Sequence, residues 1–156
     1  MPATREGVGR LLDFFVYGML RASDSLGNTP VFLRSVVEAG LRNLMLTNLP
    51  GFQASDNATE TCQTFTQKAD EAGLFDGSDT VFRGDADAVR AEIGDLCPYR
   101  RVCTMRHDEG EPVHCVRAFT LAEMLRIRLD ADFSWKLERF GRPCRVKLTR
   151  SHWGKA

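Results

Sequence analysis

Residues 113–148 read VHCVRAFTLAEMLRIRLDADFSWKLERFGRPCRVKL, and this stretch decides the fold. Val116, Phe119, Leu121, Met124, Leu125 and Leu129 recur at three- and four-residue steps, which predicts an amphipathic helix over Val113–Leu129. The period then changes to two. Phe133, Trp135 and Leu137 alternate with Ser134, Lys136 and Glu138, Gly141-Arg142-Pro143 turns the chain, and Cys144, Val146 and Leu148 alternate again. A helix followed by an antiparallel hairpin is the expected result.

Upstream, Val81–Arg83 and Ala88–Leu96 read as two short strands joined around Gly84-Asp85, the second alternating at Val89, Ala91 and Ile93. Cys97-Pro98-Tyr99 ends that strand, because proline cannot continue a central ladder. Asp108–Pro112 reads as a polar loop. The N-terminal half is helical. Val8, Leu11, Leu12, Phe15, Met19 and Ala22 stripe a first helix over Glu6–Leu26, stopped by Gly27-Asn28. Thr29 as N-cap and Pro30 at the first helical position open a second helix, carried by Leu33, Val37, Leu41 and Leu44 and ended at Asn48–Gly51. A third runs over Ser55–Ala72, closed by Gly73, with Cys62 and Phe65 on its inner face. These readings predict one α+β domain over residues 1–156, its N-terminal helices packed on a small antiparallel sheet in the order α-α-α-β-β-α-β-β.

The composition is that of a globular chain, 43% hydrophobic and 27% charged, so disorder throughout is excluded. Lys plus Arg and Asp plus Glu both number 21, which removes any global pull toward nucleic acid or anionic lipid. Arginines do cluster, at Arg100, Arg101 and Arg106 and again at Arg139, Arg142, Arg145 and Arg150, and read as a solvated face. Leu11–Leu20 is too short to span a bilayer and Asp13 interrupts it, so no membrane span is expected. No secretory signal opens the chain, and a cytoplasmic location is the expectation.

In that compartment thiols stay reduced unless they bind metal or react, so five cysteines call for a reason. Cys62 lies on an apolar helix face and reads as core. Cys97, Cys103, Cys115 and Cys144 fall at junctions: the end of a strand, the loop after it, the first turn of the last helix, and the start of the last strand. Such positions offer a thiolate backbone amides and partial exposure. Four thiolates serve either tetrahedral zinc or an iron–sulfur cluster. His107 and His114 stand near enough in sequence to replace one of them, although His114 is expected to face away.

The segments Cys97-Pro98-Tyr99, Pro112-Val113-His114-Cys115 and Gly141-Arg142-Pro143-Cys144-Arg145-Val146 resemble the vinyl-reductase-type (hydrocarbon-binding) domain family, which is related to ligand-binding domains of nitric-oxide signalling and Golgi transport. The resemblance covers about 60 residues well and the first two helices loosely. It implies an α+β domain with an apolar ligand cavity, often dimeric, and in phenol-sensing relatives zinc ligands that map onto Cys115 and Cys144. The remaining ligands of those relatives would fall within Phe133–Glu138, which lacks cysteine, so Cys97 and Cys103 complete a rearranged set instead. The aromatic faces carrying Phe14, Phe15, Tyr17, Phe32, Phe65 and Trp135 are where the cavity is expected, with Phe15, Phe32, Phe65 and Trp135 as ligand-contacting candidates.

The sequence lacks a glycine-rich phosphate loop and a basic recognition helix, and Asp108, Glu109 and Glu111 read as a solvated cluster. The leading expectation is a non-catalytic domain that binds a metal or iron–sulfur cluster and an apolar small molecule, and acts through a partner protein as a homodimer. One alternative is a small enzyme or accessory protein of tetrapyrrole or hydrophobic-substrate metabolism using a Cys115 thiolate, with His107 as its base, or an open metal position. The other is a structural subunit dimerising through its N-terminal helices.

Overall fold

Pairing of two buried strands sets the frame. In the computed structural model, which describes residues 5–151 and side chains from residue 9, the order is α1 (Arg5–Ser25), α2 (Thr29–Thr47), α3 (Ala58–Glu71), β1 (Thr80–Gly84), β2 (Ala88–Ile93), α4 (Arg100–Asp108), α5 (Val116–Leu129), β3 (Phe133–Arg139) and β4 (Cys144–Arg150). The strands form one antiparallel sheet, β1-β2-β4-β3. The α+β class and the expected succession hold, with α4 added. Val8, the first residue of the expected α1 stripe, lies outside the described side chains.

Alternation fixes the register. Val89, Ala91 and Ile93 of β2 stand opposite Leu148, Val146 and Cys144 of β4, all facing one side of the sheet and all buried. Leu121, Met124 and Leu125 of α5 are fully buried in the same core. Burying a side chain of that size contributes roughly 1.5–3 kcal/mol, which makes this layer the main source of stability. On the first hairpin Gly84 has φ 137° and a side chain there would strike the Ala88 carbonyl oxygen, so only glycine fits.

Caps set the helix starts. Asn57 accepts hydrogen bonds from the Thr59 and Glu60 N–H groups, so α3 begins at Ala58 rather than Ser55. Asn28, not Thr29, is the N-cap of α2, and the Thr29 hydroxyl instead donates to Asp24 at 2.7 Å. Residues 98–115 depart furthest from expectation. Arg100–Asp108 is helical, so Cys103 is on a helix and not in a loop. Its only buried residues are Val102 and Arg106, an inner face too narrow to register as apolar periodicity. The following helix begins at Val116, with Cys115 as an extended N-cap, because Arg106 Nε holds the Pro112 carbonyl at 2.9 Å outside the helix.

Helix α1 also turns differently from its sequence stripe. Val16, Leu20 and Ser23 face inward, whereas Leu11 (72% exposed), Phe14 (65%) and Phe15 (63%) face outward. An apolar cluster of Val16 and Leu20 with Leu33, Val102, Val116 and Phe119 holds that orientation together with a set of polar contacts. Arg106, 1% exposed, pairs with Asp24, which also bonds His114 Nε2 at 2.9 Å, and Tyr17 donates to Glu109. Most of the expected arginine face is likewise paired: Arg101 with Asp13, Arg142 with Asp95, Arg145 with Glu92, and Arg150 with Asp87.

Burial alone would raise the Asp24 carboxyl, but hydrogen bonds from Thr29, Arg106 and His114 outweigh it and hold it below its ordinary value. Replacing Asp24 by Asn strands a buried guanidinium, and chemical denaturation should register a loss of about 3 kcal/mol at neutral pH. A carboxylate of lowered pKa stabilises fully above about pH 4, and that contribution disappears as pH falls through its folded value. The gap between wild type and Asp24→Asn should therefore narrow in acid.

Candidate metal centre and neighbouring cavity

Cys97, Cys103, Cys115 and Cys144 all line one small cavity, together with Ile93, Tyr99, Arg100, Val116 and Arg117. Each cysteine arrives on a different piece of structure. Cys97 lies in the turn after β2, its carbonyl accepting from the Arg100 N–H at 3.0 Å. Cys103 sits on α4, Cys115 caps α5, and Cys144 opens β4 opposite Ile93. Cys115 and Cys144 are buried and the other two half-buried. Cys62 is fully buried among Ala58 and Phe65 in the core, away from this cavity. All five are free thiols.

Their surroundings bear on their charge. Burial pushes the Cys103 and Cys115 thiols up to about 12 and raises Cys97, and neighbouring sulfurs add to the shift on Cys103 and Cys115. The Ala118 N–H at the start of α5 favours the Cys115 thiolate without closing a capping hydrogen bond, and the Tyr99 N–H does the same for Cys97. Arg100 supplies a fixed cation. Its Nη1 is 3.1 Å from Cys144 Sγ and 2.8 Å from the Gly141 carbonyl, while Nη2 bonds the carbonyls of Ile93 (3.0 Å) and Gly94 (2.8 Å). Burial would lower the Arg100 pKa, but the Cys144 sulfur, Cys97 and Asp95 together more than offset it.

The cavity is about 20 Å³, room for one water-sized atom. Among the described residues no group of three or more His, Cys, Asp or Glu side chains is arranged to hold a metal ion without movement. Neither histidine joins the thiols: His107 is exposed and stacks on Phe140 at 4.8 Å, and His114 turns to Asp24. Glu138 lines a surface groove with Arg83, Arg90 and Arg145.

A second cavity, about 420 Å³, opens between α1, α2 and the start of α5. Its wall is almost entirely apolar, including Leu20, Leu33, Leu41, Phe65 and Phe75. Tyr99, Val116 and Arg117 border both cavities, so a single layer of side chains divides them. Of the four aromatic candidates only Phe65 lines this space. Phe15 and Phe32 face outward, and Trp135 stacks edge-on against Phe119 at 4.7 Å. Arg117 has no counterpart in the sequence reading, although it precedes Leu121 by one turn on the buried face of α5, a position where a charge is conspicuous.

The chain matches no protein-family model, no curated protein and no solved structure. No helix among the described residues is long and apolar enough to cross a membrane.

A thiol held near 12 is almost wholly protonated at neutral pH. In metal-free protein at pH 7, iodoacetamide should label Cys103 and Cys115 at least ~100-fold more slowly than an exposed cysteine. Denaturant should abolish that protection, as read by peptide mass spectrometry.

Proposed function

We propose that this chain is a ligand-binding or sensor domain in which Cys97, Cys103, Cys115 and Cys144 hold a zinc ion or an iron–sulfur cluster, the neighbouring cavity takes an apolar small molecule, and the signal passes to a partner protein. One observation carries this reading: four cysteines from four separate elements line a single cavity that shares its wall with a much larger apolar one. Four neutral thiols in one small space have no evident packing advantage over alanine or valine. A cation gives them a purpose by stabilising the thiolates that burial disfavours. A tetrathiolate zinc carries two surplus negative charges, and Arg100 beside Cys144 is placed to offset part of that surplus. The cavity volume favours a single ion; the sulfurs need to draw inward on it, whereas a cluster requires the space to widen. The vinyl-reductase-type resemblance implies zinc ligands at Cys115 and Cys144 and an apolar cavity between helices and sheet, whereas the cavity here is lined by helices and loops with no strand residue among those described.

The enzyme reading is weaker. A Cys115 thiol near 12 is a poor nucleophile without a metal, and His107 faces solvent instead of the thiol. Dimerisation fits the outward side of α1, where Leu11, Phe14 and Phe15 form an apolar surface that a second copy would cover.

Metal analysis and a visible spectrum of anaerobically purified protein test the centre. A colourless protein with one zinc per chain, or a brown one with iron and sulfide, supports it; freshly purified, fully reduced protein lacking both overturns it. Cys115→Ser and Cys144→Ser should each abolish metal binding, while Cys62→Ser should retain the metal and cost roughly 1–3 kcal/mol. The double substitution Phe14→Glu, Phe15→Glu should convert a dimer to monomer in light scattering, with the metal retained.

A further inference from the structure

Arg117 is a buried charge whose ionisable neighbours are the Cys97, Cys115 and Cys62 thiols and the Tyr99 phenol, all neutral near pH 7 in the metal-free protein. It is 3% exposed, yet among the described residues it meets no carboxylate. Its Nη2 donates to the Thr66 hydroxyl at 3.2 Å, its guanidinium carbon lies 3.8 Å over the Phe75 ring, and its Nε is buried with no hydrogen-bond partner. Buried charges are normally paired, because leaving one unmatched costs several kcal/mol. Thr66 and Phe75 both stand away from the thiol cavity. Phe75, over which the head group stacks, lines the large cavity, Thr66 lines a separate surface groove, and Arg117 itself borders both cavities, while Arg100 is the arginine bonded to a sulfur.

Everything else around the large cavity is poor in polar groups. Among the described residues Arg117 is its only charged lining residue. Thr120 spends its hydroxyl on the Val116 carbonyl at 2.9 Å, and burial raises the Tyr99 phenol so that it stays a neutral donor. An apolar chamber with one buried cation at its inner end matches a molecule of the same polarity pattern.

We propose that the ligand of the large cavity is an apolar carboxylate, an aliphatic or aromatic acid whose anionic end pairs with Arg117 and whose hydrocarbon body fills the space between α1, α2 and Phe65. This rests on reading the cavity as a ligand site and adds the charge of the ligand to it. The bound carboxylate supplies the missing partner of the guanidinium, including its free Nε. Neutral hydrocarbons and alcohols of equal size would fill the same volume but leave the cation unmatched.

Titration calorimetry of the full chain with decanoate and with decanol separates the two levels of the argument. Decanoate should bind more tightly than decanol by about tenfold or more, the value of a charge-assisted hydrogen bond. Arg117→Gln should remove that preference while leaving decanol binding within about threefold. Arg117→Lys should restore part of it, and circular dichroism shows whether each variant is folded. Equal binding of both probes by the wild-type protein overturns the carboxylate inference and leaves the apolar-ligand reading standing. Binding of neither overturns both. If Arg117→Gln fails to fold, the wild-type comparison of the two probes decides the matter.

Discussion

The antiparallel pairing of β2 with β4 is the constraint on which the rest of the molecule depends. Val89, Ala91 and Ile93 meet Leu148, Val146 and Cys144 across a ladder with no solvent on its inner face, and α5 closes over it. That register sets Cys144 opposite Ile93, at the end of the sheet where the chain leaves β2 toward Cys97. A slip of one residue would turn Cys144 to the opposite face of the sheet and separate it from the other three thiols. The location of the thiol cavity is therefore a consequence of sheet register before it is a property of any cysteine.

Helices α4 and α5 complete the enclosure, and α4 is joined to α1 both by ion pairs and by the apolar cluster that Val102 shares with Val16 and Leu20. Asp24 gathers Thr29, Arg106 and His114 at the point where α1, α2, α4 and the segment before α5 converge. This network fixes the Pro112–Cys115 segment outside the helix, which leaves Cys115 as an N-cap with the α5 amides directed at its sulfur. Together with that apolar cluster it holds the narrow face of Val16 and Leu20 inward, so that α1 roofs the large cavity while its bulky aromatic side faces outward.

Half-buried Arg100 and buried Arg117 divide the polar work around the two cavities. Arg100 donates to three backbone carbonyls around the sheet end and to the Cys144 sulfur, so its charge is tied to the thiol cavity. Arg117 sits on the shared wall with its Nη2 on Thr66 and its Nε uncommitted. A domain that kept both cavities dry and empty would have little use for either charge. Tyr99, Val116 and Arg117 line both spaces, so one layer of side chains separates them.

Sequence by itself determined the α+β class, the two alternating strands that form the centre of the sheet, the hairpin turn at Gly141–Pro143, and the core position of Cys62. These follow from local periodicity and turn chemistry, which a single chain segment expresses without help from distant residues. It also marked out four cysteines by their positions at element boundaries. Only the tertiary structure decided that these four line one cavity, because that depends on the β2–β4 register and on α4, whose single buried valine and buried arginine leave almost no periodic signal. The inner face of α1 was likewise beyond periodicity: a hydrophobic stripe records which residues are apolar, and which side is covered was set by the cluster of Val16 and Leu20 with Val102 together with the Asp24–Arg106 pair. The same holds for Arg117. Its place on the α5 stripe was legible, but that it meets no carboxylate among the described residues is a fact about neighbours that only packing supplies.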